Sequence, residues 1–170
     1  MNASLAQDTM YEAMKIALEY NYDEINLNCG CPSDKVAGKG CFGAALMLSP
    51  GLVGDVCQSI HQACKDFGHG HVPVSVKCRI GVDDRDSYEE LAVFIDKVAS
   101  TAPVRRFDIH ARKCILKGLT PAQNRSIPPL RFGWHESCSR MCCKLVGYCC
   151  CNSIEKRSVL PLAGMESFTG

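Results

Sequence analysis

The amino-acid sequence predicts an α/β fold in which helices connect parallel strands. Segments with helical periodicity alternate with short β-branched segments, and each predicted strand ends in chemically reactive side chains. A doubly wound sheet and part of a (β/α)8 barrel both have this order of elements. In a barrel, the carboxyl ends of the strands meet at the face where ligands bind. The reactive strand ends therefore favour a barrel, and we predict that residues 1–132 form part of a (β/α)8 TIM barrel.

Start signals and apolar stripes mark three helices. Thr9 and Glu12 have the spacing of a capping box, Ser49 precedes a proline, and Ser87 and Glu90 again have capping-box spacing. Apolar residues recur at helical spacing after each signal: Met10, Met14 and Ala17; Val53, Val56 and Ile60; Leu91, Ile95 and Val98. These patterns predict helices that each turn one apolar face to a core.

Short apolar segments predict three strands, at Glu24–Asn28, Val72–Ile80 and Phe107–His110. Crossover helices between consecutive strands require the strands to be parallel. In the second strand, Lys77 and Arg79 alternate with apolar residues, so we expect them on one face. If this strand lines a barrel, Lys77 points into the site.

Polar residues that could take part in chemistry follow or end each predicted strand: Asn28 and Cys31, Lys77 and Arg79, and His110 and Arg112. A loop cysteine near cations can act as a nucleophile or as a general acid. Taken singly, each residue type also fits an ordinary role, as a packed cysteine, a solvated lysine or a core histidine. Their occurrence at three successive strand ends favours a site.

Two further patterns in the sequence contain residues that could bind a ligand. Gly38–Gly43 matches G-x-G-x-x-G, but it lies well beyond a strand end, so a loop that closely approaches a ligand is favoured over a dinucleotide-binding turn. Four potential metal ligands lie near one another in the sequence: His61, Cys64, His69 and His71. Their glycine-containing segment fits a flexible connection between a helix and a strand, so we predict no metal site.

The composition changes near residue 133. The 170 residues carry a formal net charge of +1 and 46% are hydrophobic, which excludes a disordered chain and a strongly basic nucleic-acid tail. No membrane-spanning apolar stretch and no signal peptide is visible.

Of thirteen cysteines, six fall within Cys138–Cys151, and the odd total indicates reduced thiols. We predict that residues 133–170 form an irregular or disordered Cys-rich tail, with a zinc-binding module as the alternative.

Five segments stand out as a set: Asp23–Ser33, Gly40–Ala44, Val74–Asp84, Ile109–Lys113 and Gly118–Arg125. In this order they closely resemble the tRNA-dihydrouridine synthase family, and the last segment resembles its DusA-type branch. The resemblance covers residues 1–132. It therefore adds a named family to the fold predicted from the patterns above.

The resemblance implies a flavoenzyme on a (β/α)8 barrel. Such an enzyme uses FMN, reduced by NADPH, to reduce the C5–C6 double bond of uridines in tRNA. The matching positions imply that Cys31 protonates C5 and that Lys77 and His110 contact the flavin. Four more positions are implied near the substrate uridine or the tRNA: Asn28, Arg112, Asn124 and Arg125.

The match is to the fourth to sixth strands of the family's barrel. The Asn-Gly-Gly and Gly-Arg turns that hold the FMN phosphate in the family do not occur in residues 133–170. We therefore expect these 170 residues alone to bind FMN poorly and to have little reductase activity. A non-catalytic chain that binds tRNA or a partner chain is the alternative. We expect a cytoplasmic or organellar location, plastid or mitochondrial, and the oligomeric state is open.

Overall fold

The structure, a computed structural model, describes residues 3–32 and 42–131. In chain order these residues form helix α1 (Ala3–Leu18), strand β1 (Ile25–Cys29), a 3-10 helix (Gly43–Leu48), α2 (Pro50–Asp66), β2 (Val74–Arg79), α3 (Tyr88–Thr101), β3 (Arg106–His110) and a 3-10 turn (Gln123–Arg125). The predicted alternation of helices and strands is confirmed. The domain boundary after residue 132, the Cys-rich tail and its zinc-binding alternative lie outside the described residues. Within these two ranges, no helix is long and apolar enough to cross a membrane.

The starts of the helices follow the sequence signals at two of the three positions. The Oγ of Ser87 accepts the N–H of Glu90 at 3.2 Å and the Glu90 carboxylate accepts the N–H of Ser87 at 3.2 Å, so this capping box is confirmed. Ser49 precedes α2 as predicted but makes no side-chain capping bond. The capping box predicted at Thr9 is wrong, because α1 already begins at Ala3. Alanine, leucine and glutamine upstream of Thr9 are good helix formers and extend the helix.

The three strands form one parallel sheet in the order β1-β2-β3. In register, Asn28 lies beside Lys77, which lies beside Asp108, and Arg79 lies beside His110. α1 packs against α2, and α2 packs against α3. A parallel sheet with crossover helices is consistent with part of the predicted barrel.

The two faces of the sheet differ in chemistry. Side chains on one face, including Leu27, Val76 and Phe107, join the helices in a single buried hydrophobic cluster. The alternate positions of all three strands are polar: Asn26, Asn28, Ser75, Lys77, Arg79, Arg106, Asp108 and His110. Because successive residues of a strand point to opposite faces, these eight share the face that the helices do not cover. Lys77 and Arg79 therefore lie on one face, as predicted.

Mutual contacts occupy the amino end of this polar face. Arg106 pairs with Glu24 at 2.7 Å and with Asp108 at 3.1 Å. The hydroxyl of Ser75 accepts from the Asn26 amide at 2.8 Å and donates to Glu24. The three strands are thus tied together at their amino ends, and the groups available for a ligand lie at the carboxyl end.

Candidate active site

The predicted site residues converge where the three strands end. β1 leads directly into the loop of Cys31, β2 ends at Arg79, and β3 ends at His110. Because the strands are parallel and in register, their carboxyl ends lie side by side at one edge of the sheet. The structure therefore brings together the thiol, the cations and the histidine that the sequence places at separate strand ends.

The loop that carries Cys31 is held through its backbone. The N–H of Gly30 donates to Oδ1 of Asn28 at 2.9 Å, and the N–H of Ala44 donates to the Cys31 carbonyl oxygen at 2.8 Å. Gly43 has a φ of +64°, and a Cβ at this position would lie 2.5 Å from the same carbonyl oxygen. Only glycine fits there. Gly43 thus packs against the backbone of Cys31, whose side chain is half-buried. The predicted approach of the glycine-rich motif to a ligand stays a prediction, and residues 38–41 of this motif lie outside the described residues.

Arg79 joins this loop to the segment that follows β3. Its side chain is 3% exposed, and its Nε donates to the carbonyl oxygen of Gly30 at 2.9 Å. Its Nη1 donates to the carbonyl oxygens of Asn124 at 2.9 Å and Lys113 at 3.1 Å. Burial lowers the pKa of Arg79, but a guanidinium remains protonated at neutral pH. A positive charge is therefore fixed beneath the Cys31 loop by three carbonyl groups.

His110 is neutral at pH 7 and offers a nitrogen that has no partner in the described part of the chain. Its side chain is 6% exposed, and within the described ranges its Nε2 is the buried side-chain nitrogen or oxygen that lacks a hydrogen bond. Burial, and then the charges of four nearby cations, lower the pKa of His110 to about 4. These cations are Arg79, Lys77, Arg112 and Arg125. A polar ligand that binds here would give this nitrogen a hydrogen-bond partner.

The other predicted cations differ in how much of their hydrogen-bonding capacity is used. Lys77 and Arg125 are exposed, and their side chains make no hydrogen bond or ion pair with any described residue. Arg112 donates from Nη1 to the carbonyl oxygens of Ser126, at 3.4 Å, and Pro128. Lys77 and Arg125 are thus fully available to a ligand, whereas Arg112 also holds the chain that follows it.

Asn124 lies inside the protein. Its side chain is 0% exposed; its Oδ1 accepts the N–H of Ile115 at 2.8 Å, and its Nδ2 donates to the carbonyl oxygen of Ile115 at 2.9 Å. These bonds close the loop that leads to Arg125. The Asn124 side chain is thus buried and bonded within its own loop, and its predicted place near the substrate uridine or the tRNA stays a prediction.

Two residues of the site carry functions that the sequence patterns do not show. The alternation in β2 places Arg79 beside Lys77, but its three carbonyl partners come from loops distant in the sequence. The glycine-rich motif predicts close approach of a backbone, but not that Gly43 packs against Cys31. The charged residue that ends β2, on the same face as Ser75 and Lys77, was the available signal for Arg79.

Comparison with known proteins agrees with the motifs. The family model described as dihydrouridine synthase (Dus) matches residues 3–137. The chain is similar to the tRNA-dihydrouridine(20/20a) synthase of Xylella fastidiosa, with 45% identity over 79% of this chain and 38% of the relative. It is also similar to the proteins of that name from Synechocystis sp., 50% identical over 71% of the chain, and Vibrio cholerae, 52% identical over 69%. Each of the latter two matches covers 34% of the relative, so the chain spans about a third of the length of these curated relatives.

Proposed function

Because the chain belongs to the dihydrouridine synthase family, we propose that the protein carrying it reduces the C5–C6 double bond of uridine in tRNA. The observation that most supports this proposal is the position of Cys31. Its thiol follows β1, and the next two strands bring Lys77, Arg79 and His110 to the same edge of the sheet. A thiol held beside cations is suited to proton transfer.

FMN is the cofactor we propose, with NADPH as its reductant, and the residues present fit such a group. Among residues 3–32 and 42–131, the ammonium of Lys77 has no partner, and His110 has a buried nitrogen without a hydrogen bond. Lys77 would stabilise negative charge on the flavin. The neutral imidazole of His110 would form a hydrogen bond with a polar atom of the flavin ring system. When bound, FMN supplies the hydride that C6 of the uracil ring accepts.

Cys31 supplies the proton in this proposal. The S–H proton moves to C5 as C6 accepts the hydride, so that the double bond becomes a single bond and the base gains two hydrogen atoms. The sulfur then regains a proton from solvent. The bond from the Arg79 side chain to the Gly30 carbonyl oxygen and the bond from the Ala44 N–H to the Cys31 carbonyl oxygen would keep the thiol at a constant position during this transfer.

Asn28, Arg112 and Arg125 are the residues we propose for contacts with the substrate. Oδ1 of Asn28 is used by Gly30, which leaves the Nδ2 donor of this exposed side chain for a base. Arg125 is exposed and unpaired in the described part of the chain, so it could pair with a phosphate or stack on an unpaired base, as RNA recognition requires.

A cytoplasmic or organellar location, and the low activity expected of these 170 residues alone, stay predictions.

The test of this proposal is the formation of dihydrouridine in tRNA. The full-length protein, loaded with FMN, is incubated with an unmodified tRNA transcript and NADPH, and the digested nucleosides are analysed by mass spectrometry. We expect uridine that has gained two hydrogen atoms, and none when NADPH is omitted. A flavin-loaded protein that binds tRNA but forms no dihydrouridine would refute the proposal.

A further inference from the structure

Arg79 is the residue through which the Cys31 loop is attached to the rest of the site. The Gly30–Cys31 peptide group presents its carbonyl oxygen to the Nε of Arg79 at 2.9 Å. The following carbonyl group, that of Cys31 itself, accepts the N–H of Ala44 at 2.8 Å. The peptide groups on both sides of Cys31 are therefore held, one by a side chain and one by the backbone.

The other end of Arg79 is bound to a segment that is itself fixed. Nη1 donates to the carbonyl oxygens of Asn124 and Lys113 at 2.9 and 3.1 Å. The Lys113 ammonium in turn pairs with Asp86 at 3.1 Å, and the N–H of Cys114 donates to the carbonyl oxygen of Gly81 at 2.8 Å. One end of the guanidinium thus holds the Cys31 loop, and the other is anchored to a segment that is tied to the loop after β2.

Only an arginine can make these contacts. The planar guanidinium carries donors in several fixed directions, and here two of its nitrogens bind three carbonyl oxygens on two segments. A lysine keeps the charge, but its single ammonium cannot lie within hydrogen-bond distance of both segments at once. Because Arg79 is 3% exposed, water cannot replace the lost bonds without cost.

We propose that Arg79 is a positioning residue for the proton donor, which sets the place of the Cys31 thiol by holding the Gly30 carbonyl against the segment after β3. The proposal rests on the function proposed above for Cys31. Arg79 itself touches neither substrate nor cofactor in this account. Its effect on the reaction passes through the backbone of Gly30 and Cys31.

The experiment compares Arg79→Lys and Arg79→Gln with a control, Arg85→Lys, in the full-length protein loaded with FMN. Arg85 is exposed, and its contacts in the structure are made by its backbone. Two quantities are measured: kcat and KM for dihydrouridine formation in tRNA, and the rate at which iodoacetamide alkylates Cys31, followed by peptide mass spectrometry. The alkylation rate depends on the accessibility and reactivity of the Cys31 thiol, so it reports the position of the loop directly and needs no catalytic turnover.

Both Arg79 variants should lower kcat roughly 10- to 100-fold with little change in KM for tRNA, as a displaced catalytic group does. They should also change the alkylation rate of Cys31, while Arg85→Lys changes neither quantity. Wild-type kcat and alkylation in the Arg79 variants would overturn the proposal. So would loss of the whole fold in both variants, which would make Arg79 a general core residue. If the wild-type protein forms no dihydrouridine, the proposed function fails, and the alkylation rates still decide whether Arg79 positions the loop.

Discussion

Gly43 packs directly against the backbone of Cys31. The N–H that follows it, from Ala44, donates to the Cys31 carbonyl oxygen at 2.8 Å, and a Cβ on Gly43 would lie 2.5 Å from that oxygen. Gly43 also has a φ of +64°, a conformation that other residues adopt at a cost. The start of the 3-10 helix and the loop of Cys31 are therefore built as one unit.

Gly43→Ala should lower both stability and activity. The new methyl group meets the Cys31 carbonyl, so we expect the free energy of unfolding to fall by about 2–3 kcal/mol. Gly68→Ala is the matched control, because Gly68 has a φ of +80° but nothing within 4 Å of an added Cβ. Gly68→Ala should lower the free energy of unfolding, measured by urea titration, by about 1 kcal/mol and leave dihydrouridine formation unchanged. Equal losses in the two variants would show that the contact with Cys31 has no influence.

The sequence predicts the elements of this fold better than it predicts the contacts among its loops. Alternation of apolar and polar residues identifies the strands, and the pair Ser87 and Glu90 marks the start of α3, because both are local signals. The burial of Asn124 and the carbonyl partners of Arg79 depend on how separate loops meet. No local sequence pattern encodes these contacts between loops, so they appear only in the structure.

The two serines that precede α2 and α3 provide a test of capping. Ser87→Ala removes a capping box in which both hydrogen bonds are formed, so the free energy of unfolding should fall by about 1 kcal/mol. Ser49→Ala removes a side chain that makes no capping bond, so it should change the free energy of unfolding by less than about 0.5 kcal/mol. Denaturant titrations of the two variants measure this difference. A larger loss for Ser49→Ala would contradict the hydrogen bonding described for these helix starts.

Lys77→Met should weaken flavin binding without destabilising the protein. Its ammonium has no partner among the described residues, so no native contact is lost. Loss of the charge beside the flavin should raise the Kd for FMN roughly tenfold, or ~1.4 kcal/mol. Lys65→Met, at the end of α2, is the control and should leave the Kd unchanged. Fluorescence titration of the full-length protein with FMN measures both variants, and equal Kd values would remove Lys77 from the cofactor site.

His110 should make the stability of the flavin-free protein depend on pH. Its pKa is lowered from 6.5 to about 4, chiefly by burial. The unfolded chain therefore binds a proton before the folded one does, and stability present above pH 6.5 is lost as the pH falls towards 4. We expect a loss of about 2 kcal/mol over this window, at ~1.4 kcal/mol per pKa unit with allowance for screening.

The variant that tests this pH dependence is His110→Gln, with His69→Gln as the control. Removing the imidazole of His110 should flatten the dependence of unfolding free energy on pH between 6.5 and 4. The control should keep the wild-type slope, since the pH dependence comes from the buried imidazole of His110 beside the four cations. An unchanged slope in His110→Gln would contradict the electrostatics described for the site.

The central claim is that Cys31 donates the proton, and Cys31→Ala tests it most directly. The measurement is the dihydrouridine content of tRNA after incubation with the full-length, flavin-loaded variant and NADPH, together with the flavin absorbance of the protein. Cys57→Ala is the control, because Cys57 lies in the core, where burial raises its pKa to about 12. We predict that Cys31→Ala retains flavin but forms no dihydrouridine above the NADPH-free background, while the control remains active. Dihydrouridine formed by Cys31→Ala at the wild-type rate would contradict the account.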